Sequence, residues 1–111
     1  MGTDVQSDVA VAAHMFRGFG DPTRLAILTE LLAGERRVVD LVKALGCSQS
    51  NVSGHLACLK DCGLIMDRPE GRSVHYRLAT TAVVDLLRQA ETLLGEIGER
   101  VELCENYRMP R

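Results

Sequence analysis

The chain has 111 residues, which suffices for one domain with a modest core and is too short for two. Hydrophobic residues make up 46% and charged residues 25%, the usage of an ordinary folded domain, which argues against a disordered chain. Thirteen basic and fifteen acidic residues give a net charge of -2, which excludes a uniformly basic surface that holds nucleic acid through bulk charge.

The first two predicted elements are helices. Asp8 can cap the first helix, and we expect the seven residues before it to be loose. The apolar face of this helix consists of Val9, Ala12, Ala13, Phe16 and Phe19. The second helix has a stronger start signal, because Asp21 suits the N-cap and Pro22 suits the first helical position. We expect Gly34 to end it.

Two short helices joined by a tight turn come next. The first is predicted from about residue 37 to residue 45, and the second from about 49 to 61 with Ser48 as its cap. The turn between them is 46–48 and contains Gly46 and Cys47. This arrangement is typical of a helix-turn-helix.

The periodicity then changes from helical to alternating. Residues 73–78 alternate between apolar and polar side chains, which predicts a strand, with 64–68 as its partner strand and 69–72 as the hairpin tip. A last helix is predicted to begin near residue 80 or 81, and we expect 106–111 to be loose. Its apolar stripe lasts about five turns and consists of Val83, Leu86, Leu87, Ala90, Leu93, Leu94, Ile97 and Val101. Core packing alone accounts for part of such a stripe, but its length favours a dimer interface.

In this order the elements predict a mainly α fold with a small β-hairpin, a dimeric winged helix-turn-helix of the form α1-α2-α3-α4-β-β-α5. We expect a single domain over 1–111. The N-terminal helices would cover about 8–36, the helix-turn-helix 37–62 and the wing 64–78. The dimerisation helix and the C-terminal segment would cover 80–104.

The second helix of the helix-turn-helix begins with small and amide side chains that suit DNA. Glutamine and asparagine pair with adenine in the major groove, serine reaches bases or phosphates, and a helix N-terminus favours phosphate. The expected DNA contacts are Ser48, Gln49, Ser50, Asn51, Ser53, His55, Arg68, Arg72 and Arg77. Such residues also serve as ordinary helix caps, but the order of turn, wing and dimer helix favours DNA binding. Because the charge balance from 49 to 77 is small, we expect a moderate affinity.

No apolar run reaches the roughly 18 residues that a membrane span needs, and the first eight residues lack the features of a secretory signal. We therefore expect a cytoplasmic protein without a membrane partner. Disulfides are rare in that compartment. The four cysteines, Cys47, Cys58, Cys62 and Cys104, are then core residues, metal ligands or redox-sensitive thiols.

Three segments resemble the ArsR/SmtB family of metal-responsive winged-helix repressors. They are 21–28, 48–65, and the sequence Glu-Gly-Arg at 70–72 followed by Tyr76. The resemblance covers about 8–100 and implies a homodimer that represses transcription at operator DNA and is released by an effector. We expect no enzymatic activity and no organic cofactor, because the sequence shows no nucleophile paired with a base, no phosphate loop and no HExxH motif.

The resemblance also directs attention to the cysteines as ligands. Cys58 and Cys62 are four residues apart and so share a helix face. This pattern is similar to CmtR-type cadmium/lead sensors, which implies Cys104 as a third thiolate. It can come from the same chain, or from the other protomer if the last helix packs across the dimer. Three thiolates favour Cd(II) or Pb(II) over Zn(II), which prefers four ligands. Cys47 lies off the shared face.

Three other interpretations remain open at this stage. Cys58 and Cys62 can be small buried residues, since cysteine is among the most buried types. The protein can be a repressor of the same fold that responds to thiol oxidation. Finally, it can be a dimeric protein-interaction module that does not bind DNA.

Overall fold

The computed structural model describes residues 2–105 and 107. The elements in chain order are α1 Gly2–Phe19, α2 Pro22–Leu31, β1 Arg36–Arg37, α3 Val38–Leu45, α4 Gln49–Asp61, β2 Ile65–Glu70, β3 Ser73–Leu78 and α5 Ala82–Glu96. The predicted mainly α, winged helix-turn-helix fold is confirmed. The structure adds β1, a two-residue strand that the sequence pattern is too short to reveal.

The helix boundaries follow from local caps. The Asp21 carboxylate accepts the backbone N–H of Arg24 at 3.0 Å, with Pro22 in the first turn of α2. The Ser48 hydroxyl likewise accepts the backbone N–H of Asn51 at 3.1 Å at the start of α4. Gly46 ends α3 in the left-handed conformation, with φ 69°, and turns the chain sharply into α4.

The wing is an antiparallel sheet with strand order β1-β3-β2. β2 and β3 pair along their whole lengths, from Ile65 opposite Leu78 to Glu70 opposite Ser73. The hairpin tip is therefore only the two residues 71–72, shorter than the predicted 69–72. Gly71, with φ 62°, supplies the positive backbone angle that this tight turn needs.

The core lies where α2, α3, α4 and α5 meet the buried face of the wing. Its buried members are Ile27, Leu28, Leu31, Leu32, Leu41, Val52, Leu56, Leu59, Leu64, Ile65, Val83, Val84 and Leu87. Among residues 5–105 and 107, no polar or charged side chain is buried. Within the part of the chain that the structure describes, no helix is long and apolar enough to span a membrane.

Two predictions about the ends were wrong. α1 already begins at Gly2, so the expectation of loose residues before Asp8 fails over 2–7. No glycine or proline interrupts the chain from 3 to 17, and the helix therefore continues through Asp8. At the other end, α5 stops at Glu96, and Val101 lies beyond it.

The early end of α5 has a local cause. Gly98 adopts φ 93°, a left-handed conformation that ends helices, and Glu99 donates its backbone N–H to the Leu94 carbonyl at 2.8 Å. The apolar stripe therefore mixes a helical part with a segment outside the helix. The predicted loose end, 106–111, lies outside the described residues except for Tyr107.

Candidate DNA interface and metal centre

The first turn of α4 presents the predicted DNA-reading side chains to solvent. Ser48, Gln49, Ser50 and Asn51 are all exposed, as is Ser53 one turn further on. The Ser48 hydroxyl caps the helix and lies 3.4 Å from the Ser50 hydroxyl. Since a hydroxyl oxygen has two lone pairs and one hydrogen, capping leaves it able to donate to a base or a phosphate.

The wing arginines differ in their surroundings. Arg72 is exposed at the hairpin tip, and Arg77 is exposed on the solvent face of β3. Arg68, by contrast, donates to the Glu35 carboxylate at 2.8 Å and lies 3.5 Å from the Glu70 carboxylate. These carboxylates already neutralise Arg68. Arg72 and Arg77 are therefore more available to a phosphate than Arg68.

A cleft between the wing and the starts of α3 and α4 places Arg37 beside the predicted DNA contacts Gln49 and Arg72. The sequence analysis did not include Arg37 among the expected DNA contacts. The cleft has a volume of about 270 Å³, and its polar lining includes Arg37, Gln49, Arg72 and Ser73. The Arg37 guanidinium also lies 3.3 Å from the Asp40 carboxylate in the first turn of α3. The sequence signal that could have indicated Arg37 is the basic pair at 36–37. The helical periodicity of the following residues indicated only that a helix begins there.

His55 is directed into the protein rather than toward the expected DNA surface. Its side chain is 20% exposed, and Nδ1 lies 3.8 Å from the Asp21 carboxylate and 3.4 Å from the Arg24 guanidinium. Arg24 also donates to the Arg17 carbonyl at 2.7 Å. The backbone N–H of Arg24, with a smaller contribution from His55, lowers the pKa of the Asp21 carboxyl. This cluster links α4 to the end of α1 and the start of α2. That His55 contacts DNA stays a prediction.

Cys58, in the last turn of α4, and Cys62, the C-cap residue of that helix, have neighbouring thiols. Burial is the main cause of a raised pKa at Cys62, and the neighbouring Cys58 thiol adds to the shift. The Cys62 thiol donates to the His14 carbonyl of α1 at 3.3 Å. The His14 imidazole in turn lies 3.2 Å from the Asp61 carboxylate. Cys58 and Cys62 thus form a half-buried thiol pair in direct contact with α1.

This pair fits a thiophilic ion as a two-sulfur donor set, because soft ligands select soft metals. In one chain, however, the described residues bring no three histidine, cysteine or acidic side chains together around a common centre. Cys104 therefore does not join the pair within the chain. A three-thiolate site needs a second chain or a movement of the C-terminal segment.

Cys104 lies against the middle of α5 instead. Its backbone N–H donates to the Glu91 carboxylate at 3.0 Å. Burial, and then the negative charge of Glu91, raise the pKa of the Cys104 thiol. Cys47, off the shared face as predicted from spacing, packs near Pro22 at the start of α2.

An apolar groove runs between α1 and α5. It has a volume of about 370 Å³, and its lining includes Phe16 and Phe19 of α1 and Leu86, Leu93 and Leu94 of α5. Of the large apolar residues that line the groove, Phe16 and Leu93 are exposed. Further exposed apolar side chains lie on α1 and at the end of α5: Val5, Val9, Val11 and Ile97. An exposed apolar surface of this kind marks an interaction site.

These features define a winged helix-turn-helix transcription regulator, and comparisons with known proteins give its family. The family model described as "Bacterial regulatory protein, arsR family" matches residues 21–67. The chain is 38% identical over 92 residues to a probable mercury resistance operon repressor of Streptomyces lividans. That alignment covers 83% of this chain and 74% of the relative.

Two further comparisons agree. The chain is 48% identical over 67 residues to the HTH-type transcriptional regulator CmtR of Mycobacterium tuberculosis, an alignment that covers 60% of this chain and 57% of that relative. The homodimeric winged helix-turn-helix DNA-binding domain Mb0332 of Mycobacterium bovis superposes with a TM-score of 0.76 at 29% identity, covering 83% of this chain and 85% of that one.

The chain therefore belongs to the arsR family of bacterial regulatory proteins, and the predicted resemblance is confirmed. It is a transcriptional repressor by family, with metal-responsive relatives. The relatives and structural neighbours are regulators of transcription rather than enzymes.

Proposed function

We propose that the protein is a homodimeric repressor that releases operator DNA when it binds a soft metal ion, Cd(II) or Pb(II). In this proposal the ligands are Cys58 and Cys62 of one protomer and Cys104 of the partner subunit. The ion supplies a strong link between sulfurs that are otherwise held only by weak contacts. The observation that carries the proposal is the thiol pair at one end of the helix whose other end carries the DNA-reading side chains.

Dimerisation is supported by the exposed apolar surface of α1 and α5. Two reading heads related by a twofold axis would address inverted half-sites about one helical turn of DNA apart. The homodimeric state of Mb0332, whose fold this chain shares, agrees with such an arrangement. Since the charge of the reading surface is small, the second head is important for affinity.

The contacts of the thiol pair suggest how metal binding reaches the DNA. Cys62 donates to the backbone of α1, and α1 carries Val9 and Phe16 of the exposed apolar surface. A sulfur bound to a metal has no hydrogen to donate to the His14 carbonyl, so this contact between α4 and α1 is lost. A shift of α1 then changes the relative orientation of the two reading heads.

Thermodynamic linkage makes the proposal testable in both directions. If the ion weakens DNA binding by a given factor, DNA weakens ion binding by the same factor. Equal metal affinity for the DNA-free and DNA-bound dimer would therefore contradict the proposal.

The experiment measures Cd(II) binding and operator binding on the same fully reduced protein. Thiolate-to-metal absorption in the ultraviolet follows the metal, and fluorescence anisotropy of a labelled duplex from upstream of its own coding region follows DNA. Cys58→Ser is expected to abolish tight Cd(II) binding and Cd(II)-dependent release. Cys47→Ser is the matched control, since Cys47 lies away from the pair, and should behave like the parent protein.

Two outcomes would overturn the proposal in different ways. A flat absorption trace with intact DNA binding would refute the metal effector. If the mass then fell by two hydrogens per disulfide under mild oxidation, a thiol-redox signal would replace it. Failure to bind any such duplex at low salt would instead favour a protein-interaction module.

A further inference from the structure

The chain beyond α5 folds back along the helix that it leaves. Gly98 reverses the direction of the chain, and the backbone N–H of Tyr107 then donates to the Cys104 carbonyl at 3.1 Å, which forms a turn. Leu103, Cys104 and Tyr107 all pack against the hydrophobic core. These three residues are therefore docked on the body of their own chain.

Two side chains of α5, one turn apart, hold this segment. The Glu91 carboxylate accepts the backbone N–H groups of both Leu103 and Cys104, the second at 3.0 Å. The Arg88 guanidinium lies over the Tyr107 ring, 5.3 Å from its centroid. A carboxylate that accepts two backbone N–H groups makes charge-assisted hydrogen bonds, which are stronger than neutral ones. A cation over an aromatic ring adds a favourable electrostatic contact.

The position of Cys104 is thus set by its own backbone. Its N–H is one of the two groups bound by Glu91, so the thiol cannot leave α5 unless that hydrogen bond breaks. In this docked position the thiol does not form a three-ligand cluster with the pair at the end of α4, among the described residues of one chain.

We propose that Glu91 and Arg88 form a clasp that keeps Cys104 in a closed position, and that the clasp must open before Cys104 can serve as the third ligand. This rests on the proposed function, in which Cys104 completes the site. Glu91 is a positioning residue in this arrangement and not a ligand. The clasp then sets how much metal is needed to trigger release, because part of the binding free energy is used to open it.

The first test needs no metal. Reduced protein is treated with iodoacetamide, and the alkylation rate of each cysteine is followed by peptide mass mapping. In Glu91→Ala, Cys104 is expected to react about tenfold faster than in the parent protein, because two charge-assisted hydrogen bonds are lost. Glu91→Gln should lie between the two, since an amide oxygen accepts but carries no charge. The rate at Cys47 should not change, which shows that the fold is intact.

Two further variants guard against a merely structural effect. Arg88→Ala removes the other half of the clasp by a different interaction and should also accelerate Cys104. Glu96→Gln removes the same charge from an exposed position at the end of α5 and should leave the rate unchanged. Unchanged Cys104 reactivity in both Glu91→Ala and Arg88→Ala would overturn the clasp.

The second test is Cd(II) affinity by competition with a chelator. Glu91→Ala is expected to bind Cd(II) several-fold more tightly, because no clasp has to open. Weaker binding would overturn the proposal, since it would mean that the docked position is the one that binds. If the parent protein binds no Cd(II), the proposed function fails, while the alkylation rates still decide whether the clasp exists.

Discussion

The exposed valines of α1 allow a sharp test of the dimer surface. Val9 and Val11 are 61% and 69% exposed. They are two residues apart, so their side chains point about 160° away from each other around the helix. Val9 shares its face with Val5 and Phe16, beside the groove formed with α5. If this face is the dimer interface, Val9→Ala should weaken the dimer and Val11→Ala should not.

The expected magnitude follows from the exposed fraction. Valine to alanine removes two carbons, each worth about 0.8 kcal/mol when it is fully buried. Because roughly three-fifths of Val9 remains to be covered by a partner, the loss is about 1 kcal/mol per copy. A twofold interface contains the residue twice, so the dimer loses about 2 kcal/mol and its dissociation constant rises about 30-fold.

Sedimentation equilibrium of metal-free, reduced protein measures this constant directly. Thermal unfolding at high protein concentration shows whether each variant keeps its fold. The reasoning is refuted if Val9→Ala leaves the dissociation constant unchanged, or if Val11→Ala weakens the dimer as much. In the second case the interface would not be confined to the face of α1 beside the groove.

Four other predictions, with six substitutions between them, test the reading surface, the core and the charges. Ser48→Ala should destabilise the protein by about 1 kcal/mol through loss of the α4 cap, whereas Ser48→Asp should keep stability in urea titrations and lose DNA affinity. Arg72→Ala should reduce the slope of log affinity against log salt by about one, and Arg68→Ala, already paired with carboxylates, should leave that slope unchanged. Leu59→Ala, in a fully buried position, should cost about 3 kcal/mol in urea unfolding. The pKa of Asp40 is held below its usual range chiefly by the backbone N–H that it accepts at the start of α3. Its contribution to stability is therefore present above the unfolded pKa and is lost as pH falls through the lower folded value, so Asp40→Asn should flatten the acid side of the stability profile.

The elements that local sequence signals specify were predicted well. Asp21, Pro22, Ser48 and Gly46 act through their immediate neighbours, so the boundaries of α2, α3 and α4 follow from spacing alone. β1 was missed because two residues carry no readable alternation, and it exists only through its pairing with β3. The end of α5 was misplaced because the apolar pattern continues through Ile97 and Val101, which lie beyond the helix and are exposed.

The candidate site shows the same division. The spacing of Cys58 and Cys62 places them on one helix face, and the structure has them adjacent. Helical spacing predicts that the His55 side chain lies on the outward side of α4. In the structure its ring contacts Arg24 and Asp21, which are 31 and 34 positions earlier in the chain, and periodicity cannot reveal such contacts. Arg68 and Glu35 likewise meet only in the folded sheet. Long-range pairing decided which charged side chains remain available to DNA.

This pairing bears on how regulation works. The surface that faces DNA has little surplus charge, and Arg68 and Lys60 are further neutralised by Glu35 and Asp67. A repressor of this kind cannot rely on bulk attraction to phosphate, so in the proposed homodimer its affinity depends on two heads engaging two half-sites together. An effector then needs only to misalign the heads, and a coupling free energy of about 1–3 kcal/mol is sufficient for a 5- to 150-fold loss of affinity. A thiol pair that touches both the reading helix and α1 lies at the joint where such misalignment can arise.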